Sequence, residues 1–410
     1  MTTVSDSSSI SSKLGIDKQD KSTLNESTDF LLTQQLTSSS EFTQNIDDSL
    51  EPLENPKFKK YAVLPIQDKV AWEWYKTEQK GFWVDEELNK NLALDKQQWP
   101  TLEEGAQRLI KRILAFFAVS DGIVNENIQN HLIERIQIRE VQLCYNFQMM
   151  IEDVHNTVYS RLIETYINDP QERTELLDSI AHYPTIANKV KWIQKWLGTS
   201  PFASFDENVK LNLLKSINGS NLSDEMSLIV EQLKEKRPPL ARQIFINAVM
   251  EGLFFSGSFC IIFWIFHFYR KLPGLTKANE WISRDEGMHT KFAIFLYNSR
   301  IKNRLTNQEA QTIIKEAVQL ESEFIQEALP EPLNGMNATL LQQYIKFVAD
   351  QLLIEMKHPP IYKVDNPFTF MEKQSVSVRS TDFFMDNEAS EYQHPSAGTK
   401  PEDHVLEFDD

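Results

Sequence analysis

Two Glu-x-x-His pairs carry the chemical information in this sequence: Glu152 with His155 in "MIEDVHNTVYS", and Glu286 with His289 in "SRDEGMHTKF". On a helix, positions i and i+3 lie on adjacent turns of one face. Each pair therefore offers a carboxylate and an imidazole to the same ion. Two further acids sit in strongly apolar runs, Asp121 after "ILAFFAVS" and Glu251 before "GLFFSGSF". Burying four carboxylates costs several kcal/mol apiece unless each is paired or bound to metal. Four carboxylate charges neutralise two divalent cations, and two imidazoles complete the set. Helical bundles that bind two iron or two manganese ions use this pattern: two helices give one acid each and two give Glu-x-x-His. Here one of the single acids is an Asp. Carboxylate-rich ligation with two His favours Fe or Mn over Zn, which prefers compact four-coordinate sites. The expectation is two iron ions per chain, with manganese as the alternative.

A lone Glu-x-x-His is more often an exposed polar stripe than a ligand pair, and Glu391 with His394 shows it: no apolar residues surround that match. The chain order acid, Glu-x-x-His, acid, Glu-x-x-His is far more specific. The two pairs also differ. Four residues after His155 stands Tyr159; four after His289 stands Ala293. Glu152, His155 and Tyr159 fall within an arc of roughly 60°, which puts a phenol one turn from a ligand. In most proteins such a Tyr is a core residue with a satisfied hydroxyl. Here Phe255 and Phe259 follow Glu251 at i+4 and i+8 and offer a dry wall. A sheltered, oxidisable phenol beside an oxygen-activating metal pair suggests a stored tyrosyl radical.

These residues need helices to hold them, and the chain supplies them. It has 410 residues, 41% of them hydrophobic, and only 12 Gly. Helical periods dominate and sheet-type alternation is scarce, so the fold class is all-α. Helices are predicted near 136–167, 240–268, 274–301 and 337–356. Thr101 with Glu104 and Thr306 with Glu309 read as capping boxes that open two more, the first running through Asp121. Residues 1–54 are rich in Ser, Thr, Asn and Asp with no apolar period and are expected to be disordered. Residues 55–375 form the helical domain, and 376–410 a flexible acidic tail. Between Trp196 and Pro239 the sequence is polar, as in surface loops or short helices.

The formal charge of −17 argues against a nucleic-acid partner. The segment "GLFFSGSFCIIFWIFHFY" approaches membrane-spanning length, but its Ser, Gly and His interruptions read better as a buried bundle helix. No membrane association is expected. The N-terminus has neither a signal-peptide nor a transit-peptide pattern. Cys144 and Cys260 lack metal spacing and look like core thiols of a reducing compartment. The expected location is cytoplasmic.

At this point the sequence resembles a family: the small, radical-generating subunit of class I ribonucleotide reductase, in its eukaryotic and viral form. The resemblance rests on "FFAVSDGIVNENI", "MMIEDVHNTVYSRLIETYINDP", "EGLFFSGSF", "PGLTKANEWISRDEGMHTKFA", "GMNATLLQQYIKFVADQLL" and "NPFTFME", and covers roughly residues 60–375. It implies a ferritin-like bundle with metal ligands Asp121, Glu152, His155, Glu251, Glu286 and His289, and a radical on Tyr159. It also implies an electron route through Trp83 in "KGFWVDEE" and Asp285, the latter hydrogen-bonded to His155. Tyr392 in "SEYQ" takes the place of the family's tail tyrosine, the relay toward the large subunit that reduces ribonucleoside diphosphates. A homodimer, or a heterodimer with a paralogous small subunit, is implied as well. The sequence departs from the family in a longer 197–250 segment, in a small insertion at "WIFHFYRKLPG", and in ending Phe408-Asp409-Asp410, where such members usually end in Phe. The competing readings are a stand-alone di-iron oxidase, which needs no Tyr392 relay, and a structural subunit without metal, which does not need all six ligands.

Overall fold

The computed structural model describes residues 51–197 and 238–371, and among them the protein is built of helices. The one extended pairing among the described residues is an isolated bridge between Leu333 and Met336. In chain order the helices are α1 (Lys69–Lys80), α2 (Asn89–Gln98), α3 (Glu104–Asn127), α4 (Arg139–Tyr166), α5 (Pro170–Leu177), α6 (Ser179–His182), α7 (Pro184–Leu197), α8 (Leu240–Val249), α9 (Ser256–Tyr269), α10 (Pro273–Ser299), α11 (Asn307–Ala328) and α12 (Ala338–Glu355). A π-helical turn, Met250–Phe254, joins α8 to α9, and a second, Ile128–Ile133, follows α3. Four of these segments form the inner bundle: α3 lies along α4, and α8 with its π turn lies along α10. Helices α1 and α2 cover the outer faces of α4 and α10, while α11 and α12 pack on each other and reach α7 and α9. The all-α, ferritin-like expectation holds.

The apolar run at 252–269 is core. Across Leu240–Tyr269, 94% of the most apolar 18-residue stretch is buried against other parts of the protein. The insertion at "WIFHFYRKLPG" resolves into a tight corner: Arg270 and Leu272 both take left-handed backbone (φ 52° and 60°), and Pro273 starts α10. Proline suits that first position because its missing N–H would have had no partner there.

Some sequence expectations move. Thr306 caps α11, accepting from the Glu309 amide at 3.2 Å. Thr101 does not cap α3: its hydroxyl points backward and donates to the Gln98 carbonyl at 2.6 Å. The reason is local packing. Trp99 stacks on Tyr166 (4.6 Å between centroids), and Trp99–Thr101 closes a 3₁₀ turn, so α3 begins only at Glu104. It then runs past Asp121 to Asn127. Residues 52–54, inside the segment expected to be disordered, form a 3₁₀ turn: the Leu53 carbonyl accepts from Gln137 N at 2.7 Å, and Glu54 meets Arg135 at 2.7 Å. Residues 1–50, the polar stretch 198–237 and the chain from 372, with Tyr392 and the Glu391/His394 pair, lie outside the described residues.

One contact sets where α10 stands. Asp95, fully buried on α2, accepts from the amides of Gly274 (2.7 Å) and Leu275 (2.8 Å) and from the Tyr166 hydroxyl (2.5 Å). It thus caps α10 from outside and ties it to the end of α4. Gly274 is required there, since a Cβ would sit 2.7 Å from Asp95 Oδ2 and 3.0 Å from the Leu92 backbone nitrogen. Asp95→Ala strands three buried donors, each costing about 1–3 kcal/mol. We expect it to lower the urea midpoint by the equivalent of about 3 kcal/mol, with Asp95→Asn losing less; an unchanged midpoint for Asp95→Ala would remove this clamp from the account.

Candidate metal centre

The helix order places the acids as their spacing requires. Asp121 comes from α3, Glu152 and His155 from α4, Glu251 from the π turn after α8, and Glu286 and His289 from α10; all six are at most 2% exposed. A π turn adds a residue to the helical ring, and such turns recur at functional sites. Here it lies against α10, with Gly252 so close to Thr290 that a Cβ would stand 2.9 Å from Thr290 Cγ2.

The six side chains fall into two groups. Ligand atoms of Asp121, Glu152 and His155 lie within 4.8 Å of one another, and so do those of Glu152, Glu251, Glu286 and His289. Glu152 belongs to both. Both imidazoles turn Nδ1 inward: His155 Nδ1 is 3.0 Å from Glu286 Oε1 and 3.2 Å from Glu152 Oε2, and His289 Nδ1 is 3.0 Å from Glu152 Oε1 and 3.3 Å from Glu286 Oε2. Gln148, one turn before Glu152, donates to Glu251 Oε1 at 2.7 Å. Neither carboxylate oxygen of Asp121 has a hydrogen-bond partner among the described residues.

Crowding like charges away from water sets the protonation. Burial drives Asp121 and Glu251 well above the usual carboxylate range, and neighbouring acids, Glu152 for the first and Glu286 for the second, push the same way. Burial would lower the imidazoles, but Asp285, Glu152 and Glu286 around His155, and Glu152, Glu251 and Glu286 around His289, hold both well above their ordinary value. Glu286 is held down despite burial by hydrogen bonds from Glu251, His155 and His289. Protons are thus gathered wherever positive charge is needed. Two divalent cations would supply that charge directly, and a donor set of carboxylates plus two inward Nδ1 atoms, with an unpartnered Asp121, fits them.

Asp285 links this cluster to the outside. Its Oδ2 is 3.3 Å from His155 Nε2 and accepts from Trp83 Nε1 at 2.8 Å; its Oδ1 accepts from Arg284 Nη2 at 2.8 Å. With Nδ1 given to a metal, His155 would keep its proton on Nε2 and donate it to Asp285, the usual way a ligating imidazole is oriented. Burial opposes the Asp285 charge, but Arg284, His155 and Trp83 outweigh it and keep its pKa below the ordinary value. Trp83 is 1% exposed and stacks on the His155 ring at 5.8 Å.

Tyr159 is 2% exposed, and its hydroxyl has no hydrogen-bond partner among the described residues. Burial, with the charges of Asp121, Glu286 and Glu152, raises its pKa well above 10, so the phenol keeps its proton. Its ring stacks on Phe117 (4.5 Å, 14° between planes), and Phe117 in turn touches Phe255 (5.7 Å) and Phe259 (5.2 Å). The sequence reading placed Phe255 and Phe259 near the phenol but missed Phe117, the ring in contact, although it lies one turn before Asp121. It also missed Gln148, at i−4 from Glu152 on the same face, and Arg284, whose neighbour in sequence gives no hint of its hydrogen bond to Gly81.

A bundle with this four-segment carboxylate–histidine cluster defines a class, and comparison with known proteins gives the family. Residues 60–367 match the family model described as "Ribonucleotide reductase, small chain". The chain is 37% identical to ribonucleoside-diphosphate reductase subunit M2 of Mesocricetus auratus, covering 84% of this chain and 78% of that one. It is likewise 37% identical to the ribonucleoside-diphosphate reductase small chain of Spisula solidissima, over 88% and 84%. Among solved structures, the ribonucleotide reductase Rnr4 homodimer of Saccharomyces cerevisiae superposes with a TM-score of 0.63 at 26% identity, covering 84% of this chain and 96% of that one. This chain belongs to the family of ribonucleotide reductase small chains, subunits of an oxidoreductase, as the resemblance in its sequence implied.

The shared position of Glu152 gives a graded expectation. The full chain titrated with ferrous iron should hold about two ions, Asp121→Ala about one, and Glu152→Ala close to none, with helix content unchanged by circular dichroism. Equal loading of the Glu152→Ala and Asp121→Ala chains would show that Glu152 does not serve both groups.

Proposed function

We propose that this chain holds two iron ions on Asp121, Glu152, His155, Glu251, Glu286 and His289, stores a one-electron oxidant as a tyrosyl radical on Tyr159, and hands it to a large subunit that reduces ribonucleoside diphosphates. When bound, an iron pair with dioxygen supplies the oxidising power to remove an electron and a proton from a phenol. Everything else falls to the chain. The observation that carries the reading is the setting of Tyr159: a buried, protonated phenol with an unpartnered hydroxyl, stacked on Phe117 and under the field of three of the acids. Tyr145 and Tyr344 also leave buried hydroxyls unpartnered, so what singles out Tyr159 is its place under the charges of Asp121, Glu286 and Glu152. Phe117, Phe255 and Phe259 keep water and reductants from the ring, which lets a radical persist there.

Asp285 and Trp83 serve the exit of the oxidising equivalent in this reading. Asp285 fixes the His155 tautomer and accepts the Trp83 Nε1 proton in hydrogen bonding, which eases removal of an electron from the indole. Beyond Trp83 the route passes to the large subunit through Tyr392 on the C-terminal tail, with Val405, Leu406 and Phe408 as the apolar anchors of docking. Docking through so few apolar anchors is of modest affinity. The reading includes a dimer of small subunits, after the homodimer named for the S. cerevisiae neighbour, a cytoplasmic location, and manganese as the alternative metal.

Tyr159→Phe deletes one hydroxyl and keeps the ring stacked on Phe117. Iron content and fold should stay as they are, while the organic radical signal in electron paramagnetic resonance of the iron- and oxygen-treated chain disappears, and ribonucleotide reduction with it. The same signal in the same yield would place the stored oxidant elsewhere. Truncation after Asp386 should do the opposite, leaving that signal intact and abolishing turnover with a large subunit; equal turnover would favour a stand-alone oxidase.

A further inference from the structure

Trp281 has no part in the route just described, yet it is placed to extend it. It lies on α10, one turn before Asp285, and its ring centroid is 5.0 Å from that of Trp83 at 52° between planes. Exposure rises along this pair, from 1% for Trp83 to 9% for Trp281. The inner indole is joined to the carboxylate–histidine cluster through Asp285 and His155, and the outer one, though buried, keeps an edge at the surface. Lys277, one turn further back, sets its ammonium 5.2 Å from the Trp281 ring.

We propose that Trp281 is an electron-relay residue, the outer station between Trp83 and the protein surface. The proposal rests on the reading of Tyr159 as the stored oxidant, which is what oxidises Trp83. The step itself is pure electron transfer. One electron leaves the Trp281 π system and fills the hole on the Trp83 radical cation; no bond forms or breaks, and the Trp83 Nε1 proton stays in its hydrogen bond with Asp285. Trp281 is then refilled by a phenol or indole of a partner docked at this face, so the hole moves outward as electrons move in. Ring contact makes the exchange fast, and the Asp285 carboxylate on Trp83 favours the hole on the inner indole. The Lys277 charge disfavours a radical cation on Trp281. The hole therefore does not settle there, which suits a relay and not a store.

The test needs no metal. Glu280, next to Trp281 and partly exposed, is changed to Cys in the full chain and labelled with a ruthenium photo-oxidant; Cys144 and Cys260 are buried and do not compete. A flash with a sacrificial acceptor injects a hole beside Trp281, and transient absorption follows the indole radical that is absent in Trp83→Phe. Trp281→Phe, which keeps the packing and cannot be oxidised, should slow arrival at Trp83 by about tenfold or more. Trp281→Tyr, which can be oxidised, should recover most of the rate. Equal rates for Trp281→Phe and the parent overturn the relay, as does equal slowing by Phe and Tyr, which would mark a packing role. The parent reading is judged separately, by whether Tyr159→Phe abolishes the radical of the iron-loaded chain.

Discussion

Four carboxylates, two imidazoles and a phenol share one dry volume between helices, and the mutual repulsion of those acids is the constraint under which the rest of this molecule is arranged. An unpaired buried carboxylate is expensive enough, at several kcal/mol, to cancel much of a domain's net stability. The cluster is tolerable only because the acids come from separate rigid segments that hold them at distances a cation can bridge. That demand explains features that would otherwise be odd. Glu251 sits in a π turn against α10, Gly252 lets that turn close on Thr290, and Asp95 pins the start of α10 by capping it from another helix. The apolar run after Glu251 supplies the dry wall and part of the core at once.

Asp285 is the point at which this charge problem meets the indole of Trp83. One carboxylate divides its two oxygens: Oδ2 serves His155 and Trp83, and Oδ1 serves Arg284. Arg284 also donates to the carbonyl of Gly81, at the end of α1 and two residues before Trp83. The guanidinium thus keeps Asp285 ionised and at the same time fixes the strand of backbone that carries the indole. Orientation of the inner imidazole and of the outer ring are consequences of the same few bonds, so neither can be tuned alone.

Much of this was legible in the chain itself. The spacing of Glu152/His155 and Glu286/His289 and the apolar setting of Asp121 and Glu251 predict a four-segment cluster, and the structure brings those six side chains together. Long helices with strong apolar periods were placed to within a few residues. What escaped was whatever depends on contacts distant in sequence. Helix α2 buries only Leu92 and Asp95, too little for a period to show, yet Asp95 is the residue that positions α10. Thr101 and Glu104 have capping-box spacing, but the Trp99–Tyr166 stack takes over the local geometry. Phe117 looks like any other core aromatic until its ring is seen against Tyr159. The π turn after α8 leaves no mark in an uninterrupted helical pattern.

Glu152 belongs to both ligand groups, and this has a consequence for how the centre fills. An ion seated in either group would hold Glu152 in one geometry, ordering a carboxylate the second ion also needs, but it would also neutralise part of that charge and repel the second ion across it. The two halves would then be coupled, and by the same factor in either direction. One shared carboxylate thus makes the two groups a single thermodynamic unit: neither could be altered without changing the other.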